Sequence, residues 1–246
     1  MQAILHKPSG LYHILLIFLI WTSAGREPSL YAQGNDYADI DQPIRSFGQL
    51  SLFGFFEMEL IPADEPRLLI SSDDVDPAKV KVVQRGDMLK ISLLRSVIHD
   101  EEIDLVLYYV PNRLTSIQVG GGAQIHSSEK LQTDDLRIRA GSGSQVFLEV
   151  DLERLDATAS EGGHLSLRGI AEAIDCNANT GGIIEGHRLI GQAVICRAGT
   201  GGEVSIYAEQ SIDAKASTGG AIRYGGEAEE TFIRTILGGE IDHFSP

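Results

Sequence analysis

The amino-acid sequence predicts an all-β solenoid, a parallel β-helix of about 19–20 residues per coil, and three observations carry that expectation. Small-residue turns recur at a fixed interval through the second half of the chain. Around each turn, apolar and polar residues alternate one by one. When the units are aligned, each inward position keeps its size class from unit to unit. The units read IQVGGGAQI from Ile117, LRIRAGSGSQVFL from Leu136, LDATASEGGHLSL from Leu155, IDCNANTGGIIEG from Ile174, VICRAGTGGEVSI from Val194 and IDAKASTGGAIRY from Ile212. Their starts are separated by 19, 19, 19, 20 and 18 residues. Self-similarity at such a period marks an architecture in which each repeat stacks on its neighbours. Leucine-rich repeats share the length but need a Leu/Asn consensus that is not found here.

The period of two excludes helices within the units. Leu155, Ala157 and Ala159 alternate with Asp156, Thr158 and Ser160. A strand places alternate residues on opposite faces, whereas a helix would space its apolar residues three and four apart. One predicted inward column reads Ile117, Leu136, Leu155, Ile174, Val194, Ile212. The next reads Val119, Ile138, Ala157, Cys176, Cys196, Ala214, and a third, all small, reads Gly121, Ala140, Ala159, Ala178, Ala198, Ala216. Beyond the turn another reads Ile125, Val146, Leu165, Ile184, Val204, Ile222. Stacked strands lie about 4.8 Å apart, so like residues meet through the interior.

The glycine pairs 162–163, 181–182, 201–202 and 219–220 fall where the chain leaves one face for the next. Glycine accepts positive φ without a Cβ penalty, so both members are expected to serve the turn. Thr180, Thr200 and Thr218 precede three of the pairs and are expected to stack as a hydroxyl ladder. A phosphate-cradling loop needs one glycine loop feeding a helix, usually with a lysine, and the recurrence among strands argues against it. Cys176 and Cys196 occupy equivalent inward positions in adjacent coils. Their Cα separation would admit a disulfide, but parallel Cβ vectors favour two stacked free thiols.

The rest of the chain divides around this repeat. Residues 1–24 read as a secretory signal peptide: Lys7, an apolar run Leu11–Trp21, and small residues Thr22 and Ala24 before the cleavage point. The run is short for a membrane span, and no cysteine follows it to carry a lipid anchor. Residues 25–43 are polar and expected to be flexible. Residues 44–246 are expected to form one β-helix domain. Within it, 44–116 supply irregular first coils that cap the stack, 117–226 the regular repeats and 227–246 a second cap. The strand-like runs of the first part are Gly48–Ile61, Arg67–Ser72, Lys79–Gln84, Met88–Leu94 and Glu102–Val110, with Arg85–Asp87 as a turn.

Composition narrows the function classes. The formal net charge is −15, becoming −16 once Lys7 is removed with the signal peptide. Such a chain lacks the cations that neutralise nucleic-acid phosphates and is unsuited to anionic lipid. Hydrophobic residues make up 43% of the chain, enough for a core. No cofactor motif, GxSxG, HExxH or P-loop is found. The acidic run His99–Glu102 lacks the spacing of a calcium loop. His126, His164 and His187 sit at dissimilar offsets in their coils and form no metal-spaced pair.

The ordered set FGQLSLFGFFEMELI, GDMLKI, a VP before the repeat, coils with Ala-x-x-Gly-Gly, a final YGG and a terminal LGGEI resembles the head GIN domain family. The resemblance spans roughly residues 44–241. It implies a right-handed β-helix in secreted or envelope proteins of Bacteroidota-type bacteria, with an adhesin role and no catalytic residues to carry over. Turns here favour Thr-Gly-Gly where the family often has Ser-Gly-Ala-Gly.

The expectation for function is an exported binding module that presents a flat polar surface to glycans or to another envelope protein. Two alternatives stay open. A carbohydrate-active enzyme would use Asp156 and Asp175 as acid and base with Arg137, and Arg139 nearby, on one outward face. A structural module of the envelope would instead stack through an uncapped end. The sequence names no ligand-binding residue and no oligomeric state.

Overall fold

A computed structural model describes residues 38–73, 76–93 and 103–244. The signal-peptide segment, most of the polar segment after it and His99–Glu102 lie outside the described residues. The regular elements of the described residues are strands apart from one short 3-10 turn. The strands are β1 (Ile40–Pro43), β2 (Gln49–Phe53), β3 (Phe56–Pro62), β4 (Arg67–Ser71), β5 (Val80–Arg85), β6 (Met88–Leu93) and β7 (Ile103–Tyr109). β8 (Ser116–Gly120), β9 (Gln124–Ser127), β10 (Leu131–Ala140), β11 (Gln145–Ala159), β12 (His164–Asn179) and β13 (Ile183–Gly199) follow. β14 (Glu203–Ser217), β15 (Ala221–Gly225), β16 (Glu230–Ile236) and β17 (Glu240–His243) complete the stack.

From β8 onward the pairing is parallel, and the chain is a stack of coils, as the repeat predicts. Each long strand runs from one turn to the next and bends on the way. Its second half and the first half of its successor flank a turn. In register, Leu136, Leu155, Ile174, Val194 and Ile212 form one inward column. Ile138, Ala157, Cys176, Cys196 and Ala214 form the next, and Ala140, Ala159, Ala178, Ala198 and Ala216 the third. All are buried. The column after the turn, Ile125 to Ile222, holds throughout and gains Ile241.

The first regular coil corrects the expected alignment. Ile117 pairs with Ile138 and Val119 with Ala140, so Ile117, Val119 and Gly121 do not sit in the columns assigned to them. Two additional residues enter before β10, and the register shifts by one inward position. The face is kept because the side-chain period is two. Downstream, the changes in coil length are absorbed by irregularities between Ser166 and Arg168 and around Gly186–Ile190. These leave the turn and the alanine column undisturbed.

The turns are more specific than a glycine pair. The residue before each pair has positive φ: Glu161 52°, Thr180 50°, Thr200 50° and Thr218 53°. The first glycine follows at 70–74°, at Gly162, Gly181, Gly201 and Gly219. Two successive positive φ values make a type I′ turn, closed by the N–H of the fourth residue onto the carbonyl of the first. Gly163 donates to Ser160 at 2.8 Å, Gly182 to Asn179 at 2.9 Å, Gly202 to Gly199 at 3.0 Å and Gly220 to Ser217 at 2.9 Å. The second glycine has no positive φ. It is required because a Cβ there would lie inside 3.0 Å of the alanine carbonyl one rung earlier: Ala140, Ala159, Ala178 and Ala198 in turn. The expected threonine ladder runs through the backbone: Gly162 donates to the Thr180 carbonyl at 3.3 Å and Gly181 to that of Thr200 at 3.2 Å.

The N-terminal half builds its end of the stack out of sequence order. β2 and β3 lie between β8–β9 on one side and β6–β7 on the other, all parallel. The chain therefore winds outward and then steps back over its own first rung. β5 covers β6, and β4 covers β7, both antiparallel, with β1 added on β4. Ile40–Pro43, expected within a flexible segment, is thus a paired strand. Residues 227–244 take the form of one more rung: β16 pairs with β14 and β17 with β15.

Cys176 and Cys196 are free, buried and opposite each other. A hydrogen bond from one thiol to the other, followed by burial, raises the Cys196 pKa. A thiol held neutral inside a core is a poor nucleophile. Both thiols are therefore expected to resist a disulfide-exchange reagent in native protein and to react together on unfolding, as a colorimetric thiol assay across a urea titration would record. For the turns, Gly182→Ala is expected to cost about 3 kcal/mol or more through overpacking against backbone. Gly181→Ala, which meets open space, costs only about 1–2 kcal/mol of left-handed strain. Thr180→Gly, which removes such strain, should not destabilise. Urea midpoints of the three variants check the order.

Candidate functional site

The outward residues of the bend between successive turns form an open trough. Here β10 to β13 run side by side, with Leu131, Thr133, Val150, Leu152 and Ala171 pointing inward and buried. Alternation then forces the intervening residues outward. Gln132, Asp151, Ile170 and Ile190 form one outward column in register. Asp134, Glu153, Glu172 and Gln192 line the bend beside it, with Asn112 and Glu209 at the ends. The trough encloses about 640 Å³.

Its chemistry is acceptor-rich with an aliphatic floor. Ile170 is 48% exposed, and Ile190 stands beside it in register on the next strand. Asp151 is balanced by Lys130 at 3.7 Å, and the Gln192 amide donates to Glu209. Asp134, Glu153 and Glu172 have no ion-pair partner among the described residues. Free carboxylates and amides side by side accept from and donate to clustered hydroxyls. The floor offers a dry surface to a C–H face.

The sequence-predicted residues lie on a different face. Asp156 and Asp175 are adjacent in register, with Arg137 next to Asp156, as expected. However, Asp156 accepts from Arg137 Nε at 2.9 Å, and Asp175 accepts from Arg197 Nη1 at 2.8 Å. Each carboxylate is drawn to its own guanidinium. Arg154 pairs with Asp135 at 3.0 Å on the same face. These are exposed inter-rung pairs, each worth about 0–1 kcal/mol. Arg139 takes no such partner among the described residues, and only a shallow hollow of about 390 Å³ lies beside it. The trough residues were missed because the search for chemistry followed the strands nearest the turns. The same period would have found them, since positions 132, 151 and 170 are each one coil apart.

The histidines gather partly on the remaining face. His164 Nε2 lies 3.3 Å from Glu185, and its ring stands edge-on to Phe147 at 6.0 Å. His126 and His187 edge the same hollow of about 250 Å³. No cluster of His, Cys, Asp and Glu that could hold a metal is found among the described residues.

The comparisons with known proteins now decide the family. The profile of the family described as "Putative auto-transporter adhesin, head GIN domain" matches residues 46–228. The chain belongs to the head GIN domain family. A solved structure from Bacteroides fragilis, described as a "putative adhesin", superposes with a TM-score of 0.78 at 20% identity, covering 84% of this chain and 96% of that one. A "putative adhesin" from Parabacteroides distasonis gives 0.68 at 14% identity, covering 84% and 96%. A "putative lipid binding protein" from the same species gives 0.61 at 18%, covering 86% and 98%. At these identities the structures establish the shared fold. A comparison with curated proteins gives no match. Among the described residues no helix is long and apolar enough to cross a membrane.

One head GIN rung carries an electrostatic cost. Asp104 on β7 faces Glu57 in register, with Ser71 across β4. Burial first, then Glu57 and Asp73, raise its pKa above the usual 3.8. The folded chain then holds that proton more tightly than the unfolded one, so this contribution to stability is full below pH 3.8 and lost as pH rises through the raised value. Asp104→Asn is expected to raise the urea midpoint at neutral pH. The gain should vanish in acid below the ordinary carboxylate range, as a midpoint-versus-pH series would show.

Proposed function

We propose that this head GIN protein is an exported, non-catalytic binding module of adhesin type that holds an uncharged glycan chain along the trough. The single observation that carries the reading is the trough itself: carboxylates and amides repeat from rung to rung beside an aliphatic patch of Ile170 and Ile190. A polymer of hydroxyl-bearing units laid along the stack would meet carboxylates or amides on each rung and the aliphatic patch on two of them. Many weak contacts on one chain sum to useful avidity. An acidic polymer is disfavoured by the unpaired Asp134, Glu153 and Glu172. An acyl chain is disfavoured by the polar walls.

Two further features support the reading. The family and its structural neighbours carry the adhesin description. The pair Asp156 and Asp175, which an acid/base mechanism would need, is engaged with Arg137 and Arg197 on an open face. In this reading residues 1–24 direct export with cleavage near Ala24.

The test is a glycan-array screen of the full-length chain after export, with a polysaccharide cleavage assay alongside. Binding to a neutral glycan is expected, without depolymerisation. Ile170→Asp, which removes the floor and adds a carboxylate, should weaken binding at least tenfold. Asp156→Ala should leave binding unchanged. Depolymerisation lost in Asp175→Ala would replace this reading with the enzymatic one, and binding indifferent to Ile170→Asp would remove the trough from it.

A further inference from the structure

The two ends of the stack are finished differently. At the N-terminal end, antiparallel β4 and β5 lie over the outermost parallel rung. At the other end the last rung is bare among the described residues. All seven residues of β16 are exposed. Thr231, Ile233 and Thr235 continue the inward columns of Ile212, Ala214 and Ala216, which are fully buried one rung earlier. Ile233, which should be core, is 44% exposed, and Phe232 beside it is 64% exposed. The outer N–H and C=O groups of β16 face no strand among the described residues. Such an edge is a template for pairing with another strand.

The sequence of β16, ETFIRTI, is self-complementary when laid against itself antiparallel about Ile233. Inward, Thr231 meets Thr235 of a second copy and Ile233 meets its own counterpart. Outward, Phe232 meets Arg234, a cation over a ring, and Glu230 lies diagonal to Arg234. Every contact off the axis then occurs twice, as a two-fold interface demands. We propose that the C-terminal rung is a dimerisation edge at which two copies of this chain pair β16 to β16 in antiparallel fashion, closing the open ends of both cores. The proposal is independent of what the trough binds. The dimer would present two troughs, a gain in avidity for a polymer long enough to reach both.

The experiment uses the full-length chain, exported and purified, at physiological salt. Sedimentation equilibrium is expected to show mass rising with concentration from one chain to two and stopping there. Ile233→Lys, which sets like charges face to face across the two-fold axis, should weaken association at least tenfold, with far-UV circular dichroism confirming an intact fold. Glu230→Arg and Arg234→Glu should each weaken it, and the double variant, which restores the diagonal pair but not the cation over Phe232, should recover part of the loss. Ile233→Cys should cross-link to itself under mild oxidation, because directly opposed residues lie within disulfide reach. Thr231→Cys, opposite Thr235, should not. A chain that stays monomeric at all concentrations overturns the proposal. So does growth beyond two chains, or equal cross-linking through positions 231 and 233. None of these results bears on glycan binding, so the two readings fail separately.

Discussion

The fit of each turn beneath the alanine carbonyl of the preceding rung is the contact on which the other features depend. A side chain at the second glycine would collide with that carbonyl, so the close approach sets where one coil lies above another. Once that distance and register are set, the inward columns must carry residues that stack on their own kind. The all-alanine column beside the turn is the direct result: the chain reverses there, and a branched side chain would compete with the turn for the same space. Residues farther from the turn can be larger, and they are leucine, isoleucine and valine.

Coil length, by contrast, is loosely controlled. Irregularities around Ser166–Arg168 and Gly186–Ile190 take up the differences between successive coils while the turns stay aligned. The stack thus separates a rigid side, where glycine and alanine dictate geometry, from a tolerant side, where insertions and outward side chains vary. The trough lies toward the tolerant side. Among the described residues Asp134, Glu153 and Glu172 are left without cationic partners, whereas on the face next to the turns Asp156 and Asp175 are tied to guanidiniums one rung away. Ion pairs between rungs satisfy the carboxylates of that face within the protein. Unpaired acceptors around an exposed isoleucine keep their hydrogen-bonding capacity for a ligand.

A stack of parallel strands has two ends, and each must be closed or paired. The N-terminal half does this by threading β2 and β3 beneath β6 and β7 and folding β4 and β5 back over them. That path needs long-range antiparallel contacts, which explains why the repeat disappears from this half: its residues serve three layers of pairing instead of one. The C-terminal rung repeats the ordinary pattern, and core positions such as Ile233 are exposed there among the described residues.

Read alone, the sequence determined the solenoid, the coil length, the strand before and after each turn and most inward columns, because these follow from local alternation and from residues that only fit a tight corner. It placed Cys176 against Cys196 and Asp156 against Asp175 for the same reason: both pairs are one period apart. Three things were decided only in the folded chain. The register of Ile117 and Val119 depended on two additional residues in a bend, where side chains give no periodic signal. The order of the first rungs depended on pairings between segments far apart in the sequence, which local pattern does not encode. The trough arose from a bend that turns ordinary outward residues toward one another. Periodicity says which residues face water, but only the curvature of the backbone says which of them face each other.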